Sequence, residues 1–103
     1  MSITKKAIEL HYNSAIKQAA TLEKVAERLD NEAITLCNAS QNTVQRSWKG
    51  ISASAYSEKL EQLRSSIQKN KAYILEIASA IRKTAEVIRQ SENAELEAEN
   101  ERK

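Results

Sequence analysis

Residues Arg46–Tyr56 read RSWKGISASAY and hold the only tryptophan and the only glycine of a 103-residue chain, Trp48 and Gly50. Proline is absent, so Gly50 is the one strong interruption of helix in the sequence. Everything on either side is rich in Ala, Glu, Lys, Leu, Arg, Gln and Ile, the composition of long helices. Gly50 therefore divides the chain into two helical arms, and the short connection makes them antiparallel neighbours.

Before the division, apolar or small residues step by four and three: Ile8, Tyr12, Ala15, Ala19, Leu22, Ala26, Leu29, Ala33 and Leu36. That alternation marks a helix buried along one stripe. The polar run Asn38–Thr43 weakens the stripe. After the division a second stripe runs through Ala53, Tyr56, Leu60, Leu63, Ile67, Asn70, Ile74, Ile77, Ile81, Thr84 and Ile88. Asn70 is its one strongly polar member, either a register-setting seam residue or a solvated one at the seam's edge. The pattern predicts an all-α fold, an antiparallel two-helix hairpin spanning residues 1–92. Its helices cover about 5–43 and about 52–92, each about 60 Å long at 1.5 Å per residue, with the turn at about 44–51. Residues 93–103 form a polar, acidic tail expected to fray or be disordered.

The apolar arcs are wider than one neighbour requires. Tyr73, Ile74, Ile77, Ala78, Ala80, Ile81, Ala85, Val87 and Ile88 cover more than half the circumference of the later second helix, and Ile16, Ala20, Val25 and Ile34 flank the first stripe. One partner surface needs an arc of about 100°. The first seam is also alanine-rich, and alanine buries little area at about 25 cal/mol per Å². The surplus predicts a second chain, two hairpins making a four-helix bundle. The expected pairing surface comprises Ile8, Tyr12, Ala15, Ala19, Leu22 and Leu29 on the first helix, with Tyr56, Leu60, Leu63, Ile67, Ile74, Ile77 and Ile81 on the second.

Several functions are excluded by what the chain lacks. The net charge is +2, unevenly placed: Glu92–Lys103 holds five acids against two bases, leaving the body at +5. The body's bases are scattered among acids, without the basic face and interleaved aromatics of a nucleic-acid binder. One histidine, His11, without clustered Cys or acids is no metal site. Cys37, the single cysteine, has no positioned base and reads as a small buried or half-buried thiol. One glycine makes no phosphate loop, and a helical hairpin offers no cleft for paired carboxylates. No catalytic, cofactor or metal site is expected, and hence no enzyme. No run of about 18 apolar residues exists to span a membrane. The N-terminal MSITKKAIELHYNSA has no continuous apolar stretch of a secretory signal.

In the turn, Gly50 is expected to supply the positive φ that a reversal between helices often needs, and the Trp48 indole is expected to cover the exposed end of the bundle. Trp48 and Gly50, the small residues Ser52–Ala55 and the aromatic Tyr56 resemble the central motif of the WXG family of small ESAT-like proteins, substrates of type VII secretion systems. The resemblance takes in the whole chain. It implies pairing with itself or a relative. It also implies export from the cytoplasm, folded and without a cleaved signal peptide, by a membrane translocase with an FtsK/SpoIIIE-type ATPase. Many exported members carry Tyr-x-x-x-Asp/Glu after the second helix. Here no tyrosine lies beyond Tyr73, and Ile88 with Glu92 gives an apolar-x-x-x-acid echo that stands as the candidate secretion signal. The departure leaves three readings: a secreted WXG-type protein, a dedicated targeting partner or chaperone for the helical domain of a larger LXG-like toxin, and a cytoplasmic coiled-coil adaptor. The tail is either a recognition element or a solubilising end.

Overall fold

The computed structural model describes residues 4–47 and 50–102. It contains α1 (Lys5–Arg28), a π-helical segment (Leu29–Ile34), α2 (Thr35–Ser47) and α3 (Ile51–Glu101), with no strand among the described residues. Thr4 starts α1: the Ala7 amide donates to Thr4 Oγ1 at 3.1 Å and the Ile8 amide to the Thr4 carbonyl at 3.0 Å, so side chain and backbone satisfy two donors of the first turn. The first arm thus runs as helix from Lys5 to Ser47, with the π segment inside it, and the second from Ile51 to Glu101. Residues 93–101, expected as a frayed tail, continue α3.

The chain forms two compact units, Met1–Leu22 with Glu76–Lys103, and Glu23–Leu75. In the Glu23–Leu75 unit the arms pair antiparallel. Lys71 Nζ lies 3.2 Å from Asp30 Oδ2, and Arg64 Nη1 donates to Asn38 Oδ1 at 2.9 Å, so higher numbers on one arm meet lower numbers on the other. Among the described residues Ala26, Cys37 and Val44 are its buried ones. In the other unit the segments pair through buried Ile8, Ala19, Ala78 and Ala85.

The first stripe holds from Ile8 to Ala33 and then changes phase. Leu36, expected inside, is 68% exposed, while Cys37 and Val44 are buried. The cause is the π segment. Its wider turn adds one residue to the helical repeat, so after Leu29 and Ala33 the next inward position is Cys37, eight residues past Leu29, instead of Leu36, seven past it. The shift puts Val44 inside where an unbroken α-helix would put Thr43, with Ser40 and Gln41 half-buried one turn before it.

The second stripe divides as well. Leu60, Ile67, Ile74 and Ile81 are half-buried as expected. Their companions at the seam, however, are Ser57, Arg64, Lys71, Ala78 and Ala85, each one residue past Tyr56, Leu63, Asn70, Ile77 and Thr84, which are exposed. Both sets recur every seven residues, so periodicity alone does not choose between them. Packing does: alanines allow close approach of an alanine-lined arm, and the stems of Arg64 and Lys71 lie along the seam while their charged ends reach across it.

Candidate functional site

The turn is built on one backbone conformation. Gly50 has φ of +87°, the only positive φ among the described residues. Its carbonyl accepts from the Ser54 amide at 3.2 Å, the first hydrogen bond of α3. A Cβ built on Gly50 would meet nothing within 4 Å, so glycine is required for its torsion and not for room. We expect Gly50→Ala to cost about 1–2 kcal/mol, the penalty of left-handed backbone for an L residue, and Gly50→Asn less. Thermal unfolding of the two variants at matched concentration measures the difference. Trp48 lies outside the described residues.

Large apolar residues are left exposed on both arms, among them Leu10, Val25 and Leu36 on the first and several on α3. Those on α3 include Tyr56 and Leu63, seven apart, with Tyr73 in the Glu23–Leu75 unit. In the other unit they include Ile77, Val87 and Ile88. On a helix, residues seven apart share a face, so Tyr56 and Leu63 present neighbouring apolar surface. Of the expected pairing residues, Ile8 and Ala19 are buried. Tyr12, Ala15, Leu22, Leu29, Leu60, Ile67, Ile74 and Ile81 are half-buried, and Tyr56, Leu63 and Ile77 are exposed.

Ile88 and Glu92 meet the first arm. Together with Ile8, His11, Tyr12, Ala15, Ala85 and Arg89 they line a shallow groove of about 100 Å³ in the Met1–Leu22 with Glu76–Lys103 unit. Arg89 is its organising cation. The guanidinium stacks 3.8 Å from the centre of the Tyr12 ring, donates to Glu86 Oε2 at 2.7 Å and lies 3.7 Å from Glu9 Oε2. Gln90 Nε2 also donates to Glu86, at 3.3 Å. Sequence reasoning missed this cluster. Its only linear trace is the three-residue spacing of Glu86 and Arg89, common on any helix.

The Arg89 hydrogen bond and charge hold the Glu86 carboxyl below its ordinary value, and Glu86 raises Arg89 in return. A carboxyl depressed in the folded chain binds its proton later than in the unfolded chain. Its contribution to stability is therefore present at neutral pH and is lost as pH falls through the lowered value. We expect Glu86→Gln to be less sensitive than wild type to acidification from about pH 5 to about pH 3, a difference read by urea unfolding along a pH series. Equal pH profiles would remove Glu86 from the acid response.

Among the described residues no group of His, Cys, Asp and Glu is placed to hold a metal ion, and no helix is long and apolar enough to cross a membrane. What the geometry offers is surface: a glycine-dependent turn, exposed apolar side chains on both arms and a charged clamp between the arms. The family model for proteins of about 100 residues with a WXG motif matches residues 3–93. No curated protein and no solved structure matches the chain.

Proposed function

Because this chain belongs to the WXG100 family, we propose that it is a non-enzymatic protein of a type VII secretion system, exported as a folded helical pair with itself or with a related helical protein. The observation that carries the pairing is the number of large apolar residues left exposed on both arms, beside seams whose buried positions are largely alanine. An isolated chain leaves Tyr56, Leu63, Tyr73 and Val87 in water, and a second chain covering them removes that apolar area from solvent. Light scattering at micromolar concentration, with and without genomic neighbours co-expressed, should give at least twice the chain mass. A stably folded monomer in both settings would remove the pairing.

Export is read through Ile88 and Glu92, four residues apart on α3 and both bordering one groove. If the chain carries its own signal, Ile88→Ala with Glu92→Ala should abolish its appearance in the culture supernatant of a host with an active type VII system while pairing persists. The second reading, a targeting partner or chaperone for a larger secreted toxin, is favoured by the isoleucine that stands where a tyrosine is expected. It requires that the double substitution be tolerated and that loss of the toxin abolish export. Release that continues without the motif, the partner and the system's ATPase would leave the cytoplasmic adaptor.

A further inference from the structure

The residue added by the π segment also changes the outside of the Glu23–Leu75 unit. With Leu36 turned out, Leu36, Ala39, Ser40, Thr43 and Val44 of the first arm and Tyr56 of α3 line an open groove of about 320 Å³. Leu36 and Tyr56 are its large apolar walls, 68% and 45% exposed. The floor is made of small residues, which allow close approach of another backbone. The Thr43 hydroxyl donates to the Ala39 carbonyl at 3.1 Å, so its proton is satisfied within the helix. A groove between antiparallel helices, large at its walls and small at its floor, matches the ridge of side chains on a helix.

Charge selects the occupant further. No acid occurs from Ala33 to Ser57. Arg46 follows Thr43 by three residues and Lys59 follows Tyr56 by three, placing each on the helix face of a groove residue. Both are exposed, and among the described residues neither is in an ion pair. The nearby acids Glu61 and Glu32 are paired with Arg64 and Arg28, and Glu58, two residues past Tyr56, lies on the opposite side of the helix from it. The groove is therefore apolar with a cationic rim. We propose that it docks an amphipathic helix of a partner protein whose apolar stripe is flanked by Asp or Glu, and that the π segment is the element that creates it by turning Leu36 outward. This inference rests on the reading of the chain as a helical pairing protein and names one face and the partner's charge. Pairing elsewhere, as seen by light scattering, stands or falls separately.

The test uses the full ¹⁵N-labelled chain and two synthetic helical peptides of about 20 residues. They share one leucine stripe, flanked by Glu in one and by Lys in the other. The Glu-flanked peptide should shift the amides of Leu36, Ala39, Ser40, Thr43 and Tyr56 and bind about tenfold more tightly than the Lys-flanked one, with an affinity that falls as salt rises. Leu36→Asp, a change at an exposed position whose folding is checked by circular dichroism, should weaken binding about tenfold. Deletion of Asn31, which restores the 3.6-residue repeat, should do the same and should open Cys37 to a thiol reagent. If that deletion fails to fold, Leu36→Asp decides alone. Equal binding of both peptides, shifts that map elsewhere, or undiminished binding by Leu36→Asp would overturn the proposal. Concentration-dependent shifts of the same amides without peptide would also overturn it, assigning the groove to a second copy of this chain.

Discussion

Ile8→Ala should lower the free energy of unfolding by about 2–4 kcal/mol, the cost of deleting most of a large buried aliphatic side chain and leaving a cavity. Among the described residues Ile8 is the one large side chain that is almost completely buried, at 1% exposure. The other fully buried positions, Ala19, Ala26 and Ala78, are alanines, each with a single methyl to contribute. A seam of small residues brings helices close but buries little apolar area per residue, so one isoleucine carries a disproportionate share. Leu10→Ala, two residues away at a site 60% exposed, should change stability by less than about 0.5 kcal/mol. Urea unfolding followed by circular dichroism, at one fixed concentration because association adds to apparent stability, measures both. Similar effects at the two positions would mean that Ile8 is not where the N-terminal arm is held.

Ala78→Leu should destabilise by about 1–3 kcal/mol or force the arms apart, because extra methylenes in a closed seam demand off-rotamer side chains or backbone shifts. Ala80→Leu, two residues on and exposed, should be close to neutral. The comparison separates the two registers open to α3. With Ala78 and Ala85 at the seam, the leucine at 78 is the damaging one. If the seam instead ran through Ile77 and Thr84, Ile77→Ala would be the costly change and Ala78→Leu would be absorbed at its edge. Far-UV melts of the three variants, with hydrogen exchange across α3, read the outcome.

Much of this architecture is legible in the sequence. The lone glycine places the reversal, and the stepping by three and four fixes two helical arms. Two features are not legible, for identifiable reasons. The π segment reads LDNEAI, with no proline or glycine to announce it, and the apolar pattern continues past it to Leu36 as though the helix were regular. The trace it leaves is Val44, an apolar residue out of phase with the stripe before it. Along α3, periodicity selects the bulky set that includes Tyr56, Leu63 and Ile77, whereas the seam takes Ser57, Arg64, Lys71, Ala78 and Ala85. Burial follows the space between two backbones as well as hydrophobicity, and an alanine-lined arm leaves room for small residues and for cations that can reach past it. At the candidate site, the four-residue spacing of Ile88 and Glu92 was readable, but their meeting with Ile8, His11 and Tyr12 depends on how the arms align, which no local pattern records.

The position of Cys37 makes the protein a clock for its own opening. Its thiol is the only one in the chain and is 7% exposed on the inward side of the Glu23–Leu75 unit. A small alkylating reagent reaches it only when the packing there parts, and each alkylation leaves a permanent change in mass. When reclosing outpaces alkylation, the labelling rate divided by that of an unstructured thiol gives the fraction of time this region stands open. The protein therefore reports the breathing of one of its units with no probe added to it, at concentrations far below those that spectroscopy requires.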